Sequence, residues 1–260
     1  MSEILSIALH SMHQDMSRLD QIAINMANVS TPGYKRQVTA AVAFGDVVQD
    51  LGAVTPDVAG ARSLQARPAE NGMALLTDLH GGTLRSTGAA LDLAIDGNGF
   101  FEIATANGPA YTRQGSFKVD ARGRLTTLDG NPVMGKSGEI FLTSGAPSID
   151  SQGNITEEAL AGGANGKTKA SVGQLKVIKF DDEKSLAPSG NGLYTGTGAT
   201  TQLSDLDVKI RQGYLENSNV NSLQEMMRLM QTMRHFESVQ KTAQGYDEMI
   251  GDAIKKLGDA

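Results

Sequence analysis

The sequence predicts an α+β protein in which long coiled-coil-like helices at the N and C termini pack together, with a central antiparallel β-rich domain between them. Apolar residues near both ends recur in alternating steps of three and four, which is the spacing of a coiled-coil seam. Between them the hydrophobic pattern has a period of two, with turn signals roughly every 8–12 residues. We therefore expect four segments: an N-terminal helix and turn (1–36), an extended linker (37–83), the β-rich domain (84–213) and a C-terminal helix (214–260).

The N-terminal helix carries one apolar stripe. Its members follow one another in steps of four and three: Leu5, Leu9, Met12, Met16, Leu19, Ala23 and Met26. Burying such a set contributes on the order of 10–20 kcal/mol, at ~1.5–3 kcal/mol for each side chain. We therefore expect the stripe to pack against the C-terminal helix, against another subunit, or against both.

A turn follows this helix in the segment "MANVSTPGYK". Asn28 can adopt the left-handed conformation that closes a helix. Thr31 precedes a proline and is disfavoured in the α region, while Pro32 and Gly33 suit the centre of a type II turn that leads into Tyr34. We interpret the turn as the element that sets the angle at which the chain leaves the helix. An ordinary helix stop is the alternative.

The segment between 37 and 83 has weak periodicity and is expected to be extended. From about Leu91 onward the period drops to two, and the dipeptides Asp96-Gly97, Arg122-Gly123 and Asp129-Gly130 are typical of hairpin turns or close to it. These short strands predict the antiparallel β-rich domain.

The C-terminal helix is predicted to begin with a capping box formed by Ser222 and Glu225. Its apolar stripe consists of Leu223, Met226, Met230, Met233, Phe236, Val239, Ala243, Tyr246, Ile250, Ala253 and Leu257. The step from Met233 to Phe236 adds a second three-residue step in succession, which resembles a stammer in a coiled coil.

The sequence offers few groups for chemistry. It contains no cysteine, which excludes disulfides, thiolate zinc sites and cysteine nucleophiles. A formal net charge of −6 argues against a nucleic-acid partner. No apolar run is long enough to span a membrane, and the first residues lack the features of a cleaved signal peptide. We expect no catalytic residue, no cofactor and no bound metal.

Three motifs resemble the bacterial flagellar rod and hook proteins. The N-terminal signature of that family is matched in "INMANVSTPGYKR" by Asn25, Ala27, Asn28, Thr31, Gly33, Tyr34 and Lys35. The chain departs from the signature at Ile24 and Met26. The segments "YTRQGSFKVDARGRLTTLDGNPVMG" and "QGYLENSNVNSLQEMMRLMQTMRHFE" are similar to the body and the C-terminal helix of the same family.

The resemblance implies a structural axial subunit of the basal-body rod, of the proximal or distal type. Such a subunit assembles helically through its terminal helices and forms part of the drive shaft and export channel. The implied partners are copies of itself, other rod and hook axial proteins, and the flagellar type III export apparatus. The implied location is the rod in the periplasmic space, reached without a cleaved signal peptide. A hook-type subunit and a soluble β-domain binding module or enzyme are the alternatives.

Overall fold

The computed structural model describes residues 2–41, 73–143, 147–160, 167–180, 186–196, 200–204 and 207–258. Helix α1 (Ser2–Ala27) and helix α2 (Ser222–Gly258) lie near the two ends, and the strands lie between them. The fold is therefore α+β in its coarse class. Most of the predicted linker, residues 42–72, lies outside the described part of the chain. Within that part, no helix has the length and apolar content needed to cross a membrane.

A six-stranded antiparallel sheet forms the centre of the β-rich region. Its spatial order is β15 (Leu186–Gly190), β16 (Leu193–Gly196), β6 (Gly108–Thr112), β5 (Phe100–Thr105), β14 (Val177–Phe180) and β17 (Thr200–Gln202). Because successive side chains of a strand point to opposite faces, Phe100 and Phe101 enter two different clusters of buried residues. The sheet is thus covered by apolar side chains on both faces.

The remaining strands form small antiparallel sheets around this centre. One has three strands: β11 (Ser148–Ile149), β12 (Asn154–Leu160) and β13 (Lys167–Gln174). The two-stranded sheets are β1 (Gln37–Ala41) with β2 (Met73–Thr77), β3 (Leu84–Ser86) with β19 (Tyr214–Glu216), β4 (Leu93–Ile95) with β18 (Ile210–Gln212), β7 (Phe117–Val119) with β8 (Leu125–Thr127), and β9 (Met134–Gly135) with β10 (Gly138–Glu139). Pairing of β3 with β19 brings the two ends of the β-rich region together.

The two helices lie side by side and run antiparallel. Asp15 in the middle of α1 contacts His235 of α2, and the first turn of α2 lies beside the chain that follows α1, where Glu225 pairs with Arg36. The stripe of α1 that faces α2 is buried or partly buried and consists of Ala8, Met12, Asp15, Leu19, Ile22 and Met26. The corresponding stripe of α2 consists of Glu225, Leu229, Thr232, Phe236, Val239, Ala243, Tyr246 and Ile250.

The prediction of long coiled-coil-like helices is wrong, because much of the predicted seam does not pack between the helices. Three members of the predicted stripe on α1 are 46–57 % exposed: Leu5, Leu9 and Met16. Four members on α2 are 48–66 % exposed: Leu223, Met226, Met230 and Met233. The stripes that face the other helix contain the polar residues Asp15, Glu225 and Thr232. These polar residues interrupt the apolar pattern, which therefore predicts the neighbouring positions Met16, Met226 and Met233.

The expected stammer in α2 also arises because the predicted stripe combines residues from two different sides of the helix. The stripe from Glu225 to Ile250 keeps regular steps of four and three, so no supercoil irregularity is needed. The three-residue step from Met233 to Phe236 is the point where the apolar stripe passes from an outward-facing side of α2 to the side that faces α1. At about 100° per residue, the two parts of the stripe differ by roughly 140° around the helix.

Candidate functional site: the helix junction and its apolar surface

The turn after α1 is built as a compact hydrogen-bonded unit. Gly33 has a φ of +68°, and the Tyr34 N–H donates to the Thr31 carbonyl over 3.3 Å, which is the geometry of a type II turn. The left-handed conformation expected at Asn28 is wrong, because Asn28 does not have a positive φ. Its side chain instead donates to the Ile24 carbonyl and accepts from the Thr31 hydroxyl, and it closes the helix through these bonds.

Gly33 holds this turn against the β-rich region. Its N–H donates to the Glu216 carbonyl over 2.7 Å. A Cβ at this position would lie 2.4 Å from the backbone carbonyl of Arg113, which is closer than real Cβ contacts. Both the positive φ and the close approach of the backbone therefore require glycine here.

Asn25 connects α1 to strand β1. Its side-chain oxygen accepts from the Tyr34 hydroxyl (3.1 Å) and from the Gln37 N–H (3.0 Å), and its amide donates to the Gln37 carbonyl (2.8 Å). Asn25 is only 1 % exposed. The family signature contains Asn25, Tyr34 and Gly33, and these contacts explain why such residues occur together at the end of a helix.

Burial raises the pKa of Tyr34 to about 12, and the nearby Glu225 carboxylate adds to this effect. In the unfolded chain a tyrosine ionises near pH 10, so between about pH 10 and about pH 12 the unfolded state binds fewer protons than the folded state. The stability contributed by neutral Tyr34 is thus fully present below about pH 10 and is lost as the pH rises through about 12.

We expect Tyr34→Phe to reduce the loss of stability between about pH 10 and about pH 12 relative to the unmodified chain, because phenylalanine cannot ionise. Urea unfolding followed by circular dichroism across this range measures the effect. Tyr246→Phe, which removes a hydroxyl from α2 away from the turn, serves as the control. An identical alkaline loss in Tyr34→Phe and the unmodified chain would contradict this assignment.

Three buried charged side chains lie beneath the turn. The Lys35 ammonium donates to Glu216 Oε1 over 2.6 Å, and the Arg113 guanidinium donates to Glu216 Oε2 over 3.2 Å. All three side chains are at most 3 % exposed. Burial lowers the pKa of Lys35 and that of Arg113, and the Glu216 carboxylate opposes both changes. Lys35 also donates to the His80 carbonyl, so the cluster joins the turn, the segment that precedes β3 and the end of β19.

A second ion pair fixes the start of α2. Glu225 is 1 % exposed and accepts from Arg36 Nε (2.6 Å) and from Arg228 (3.1 Å). The predicted capping box is wrong, because the cap is Asn221, whose side-chain oxygen accepts from the N–H groups of Leu223 and Gln224. Glu225 is therefore free to pair with Arg36 instead of turning back to the helix end.

One polar contact joins the middles of the two helices. The Asp15 carboxylate is 1 % exposed and lies 2.5 Å from Nδ1 of His235. Asp15 is a charged residue, and charged residues are exposed in most proteins. Its spacing does indicate a buried position, because Asp15 lies three residues after Met12 and four before Leu19, in a series of steps that continues to Ile22.

Six of the exposed apolar residues of the two helices form one surface, which we call the outer apolar surface: Leu9, Met16, Leu223, Met226, Met230 and Met233. Leu5 does not belong to it, because it lies seven residues before Met12 and so continues the contact stripe of α1. On each helix the residues of this surface follow the contact stripe by a rotation in the same sense, which averages about 90° on α1 and about 130° on α2 at about 100° per residue. Because the helices are antiparallel, rotations in the same sense turn both sets toward the same side of the pair. Six exposed apolar side chains from separate ends of the chain thus lie on one side of the helix pair.

The other residues of the predicted assembly interface have different positions. Partly buried between the helices are Met12, Leu19, Met26, Phe236, Val239, Tyr246 and Ile250. The side chain of Leu257 lies outside the described part of the chain. Across the described ranges, no group of three or more His, Cys, Asp or Glu side chains is placed to hold a metal ion.

Comparisons with known proteins place the chain in a family. Residues 211–256 match the family described as flagellar basal body rod FlgEFG protein C-terminal, and residues 94–158 match the flagellar hook protein FlgE/F/G D1 domain. The flagellar basal-body rod protein FlgF of Caulobacter vibrioides is 30 % identical over 92 % of this chain and 91 % of its own length. FlgF of Mesorhizobium japonicum is 32 % identical over 99 % of both chains.

FlgG of Bacillus subtilis, also a flagellar basal-body rod protein, is 32 % identical over 95 % of this chain and 96 % of its own length. The similarity therefore extends through the terminal helices, the junction and the β-rich region alike. It confirms the resemblance indicated by the motifs around Asn25 and Gly33. The chain belongs to the flagellar basal-body rod protein family that contains FlgF and FlgG.

Proposed function

We propose that this chain is a structural axial subunit of the flagellar rod that joins copies of itself and other rod or hook axial proteins through its outer apolar surface. The observation that carries the proposal is the exposure of six apolar side chains on one side of the helix pair. Contiguous exposed apolar patches on a folded protein mark interaction sites. The apolar residues that are buried between the helices stabilise the subunit itself and hold together the two helices that carry this surface.

The energetics favour assembly with several neighbours. Each of the six side chains is 48–66 % exposed, so covering it contributes about 1 kcal/mol, or roughly 6 kcal/mol for the whole surface. The loss of translational and rotational freedom on association costs about 4–15 kcal/mol. The net free energy of a single contact through this surface is thus close to zero. A subunit added to a growing end contacts more than one neighbour, so its total binding free energy is large enough to keep it bound.

The location of the surface also suits an open assembly. A surface on one side of the molecule that binds a different part of the next subunit makes a heterologous contact, which continues into a helical filament unless the rotation closes a ring. A helical arrangement around a central channel is the form we propose for the rod. In it, the turn at Pro32 and Gly33 sets the angle between the helix pair and the β-rich region. The four segments 1–36, 37–83, 84–213 and 214–260 are our proposed division of the subunit.

We further propose that the chain reaches the periplasmic part of the basal body through the flagellar type III export apparatus, without a cleaved signal peptide. Passage through a narrow channel requires an unfolded chain that folds again on arrival. The absence of cysteine from the sequence supports this route, because refolding needs no disulfide formation. The ion pairs of Lys35, Arg113 and Glu216 re-form without any covalent step.

The assembly proposal is tested by placing a charge on the outer apolar surface. We expect Met230→Asp and Met16→Asp to abolish both polymerisation of the purified chain and motility of cells that carry the variant, because a buried unpaired carboxylate is strongly unfavourable. Sedimentation and electron microscopy measure polymerisation, and circular dichroism verifies that the subunit is folded.

Met249→Asp is the matched control. Met249 is 64 % exposed on the same helix, but it lies outside the outer apolar surface, roughly 100° around the helix from Met230. This variant is expected to assemble like the unmodified chain. Normal assembly and motility of the folded Met230→Asp variant would overturn the proposed role of the surface.

A further inference from the structure

We propose that the methionines of the outer apolar surface are a site of reversible oxidation by peroxides, and that their oxidation stops assembly of the free subunit. The residues concerned are Met226, Met230 and Met233 of α2 and Met16 of α1. This inference rests on the proposed assembly role of the same surface.

Sulfur chemistry in this chain is limited to methionine. The sequence has 11 methionines and no cysteine, so thioethers are its only sulfur groups. The four methionines of the surface are 48–55 % exposed. Met12 and Met26 of α1 are partly buried between α1 and α2. A peroxide in solution therefore meets the surface methionines before the structural ones.

The three methionines of α2 lie on a single face. Met226, Met230 and Met233 follow one another in steps of four and three, so their side chains project from the same side of the helix. Methionine is flexible and polarisable, which suits a surface that must adapt to neighbouring subunits. The same sulfur atoms that would provide apolar contact are thus exposed to oxidation in the free subunit.

The reaction is a two-electron oxygen transfer. A lone pair of the thioether sulfur attacks one oxygen of hydrogen peroxide, an S–O bond forms and the O–O bond breaks. The departing hydroxide takes the proton of the transferred oxygen and leaves as water. Sulfur is oxidised to the sulfoxide, peroxide is reduced to water, and the sulfoxide is returned to the thioether by methionine sulfoxide reductases.

Oxidation changes the surface from apolar to polar. A sulfoxide carries a strong dipole, and burying it in a subunit contact without a hydrogen-bond partner is unfavourable. Each oxidised methionine is expected to weaken a contact by about tenfold or more. Because a completed contact covers the same sulfur atoms, assembled subunits are protected, and the effect is confined to subunits that have not yet assembled.

The first experiment treats the purified full-length chain with hydrogen peroxide, maps sulfoxides by mass spectrometry, and measures the concentration at which polymerisation begins. We expect sulfoxide at Met16, Met226, Met230 and Met233 and a rise of about tenfold or more in that concentration. Treatment with methionine sulfoxide reductases is expected to restore assembly. Normal polymerisation of a chain oxidised at all four positions would overturn the inference.

Leucine variants distinguish the effect of oxidation at this surface from the effect of oxidation at other methionines of the chain. Leucine keeps the apolar character and nearly the volume of methionine but cannot form a sulfoxide. A chain with leucine at all four positions is expected to polymerise after peroxide treatment, whereas Met249→Leu is expected to lose assembly like the unmodified chain. Loss of assembly in the four-leucine chain on peroxide treatment would assign the effect to other methionines and overturn the inference.

Peroxide treatment after polymerisation gives an independent test that needs no variant. We expect sulfoxide at Met249 but not at the four surface methionines, since these are covered; equal oxidation at all five positions would overturn the inference. The outcome is distinguishable from failure of the assembly proposal itself. If Met230→Asp assembles normally, the surface is not the interface. If Met230→Asp fails while the oxidised chain assembles, only the redox inference is wrong.

Discussion

Replacement of Glu216 by alanine is expected to destabilise the protein by about 3–5 kcal/mol, which is typical when one partner of a buried ion pair is removed. Glu216 accepts from Lys35, from Arg113 and from the N–H of Gly82. Its removal leaves two cations with almost no access to water and one unpaired backbone donor. The cost thus comes from the charges that stay buried and not from the lost attraction alone.

Urea unfolding followed by circular dichroism measures this loss. Asp96→Ala is the matched control, because it removes the Asp96–Arg211 ion pair, whose side chains are 42 % and 53 % exposed. An exposed pair of this kind contributes about 0–1 kcal/mol. If Glu216→Ala and Asp96→Ala lowered the free energy of unfolding equally, the buried cluster would not have the role we assign to it.

Replacement of Gly33 by alanine is expected to cause the second large loss of stability. A non-glycine residue in the left-handed region costs about 1–2 kcal/mol. The added Cβ would also lie 2.4 Å from the carbonyl of Arg113 and 2.6 Å from the N–H nitrogen of Gln114. Since both are backbone atoms, the turn must move away from the β-rich region, which adds about 1–3 kcal/mol and weakens the Gly33–Glu216 hydrogen bond.

Gly130→Ala isolates the steric part of this effect. Gly130 has a φ of +88°, and a Cβ there would meet no atom within 4 Å. It therefore carries the conformational cost of about 1–2 kcal/mol without the clash. Chemical denaturation of both variants is the measurement, and Gly33→Ala is expected to be the less stable by more than about 1 kcal/mol. Equal stability of the two would contradict the close packing of the turn.

The turns of this fold could be predicted from the sequence, because a turn depends mainly on the few residues that form it. Arg122-Gly123 joins β7 to β8, which pair with each other, and Gly123 has a positive φ. Asp96-Gly97 is different, since β4 pairs with β18 and not with the following strand β5. The dipeptide indicates a turn in both cases. It does not indicate which strand lies beside which, because that depends on contacts between distant parts of the chain.

The face on which each helix packs could not be predicted from the apolar pattern. Both helices carry two overlapping stripes with the same spacing, and in the first three turns of α2 the more apolar one is on the outside. In a single-chain core the most apolar stripe is buried, but a subunit of an assembly has two faces to cover. Asp15 and Glu225 are tolerated on the inner stripe because His235 and Arg36 pair with them.

The buried cluster of Lys35, Arg113 and Glu216 at the junction could not be predicted from the sequence either. Lys35 and Glu216 are 181 positions apart in the sequence, and a charged residue is exposed in most proteins. Lys35 did stand out as part of the family signature. Its partners became visible only when pairing of β3 with β19 placed the end of β19 beside the turn.

The chain passes between the helix pair and the β-rich region twice, and the two passages run side by side. Gly33 donates to the Glu216 carbonyl, the Arg36 N–H donates to the Asn219 side chain, and the Asn219 N–H donates to the Tyr34 carbonyl. A single covalent connection allows two bodies to swivel by rotation about its backbone bonds. Two cross-linked strands cannot swivel in that way without breaking their hydrogen bonds. Torque applied to one part of the subunit is therefore transmitted to the other instead of being lost in a twist of the connector.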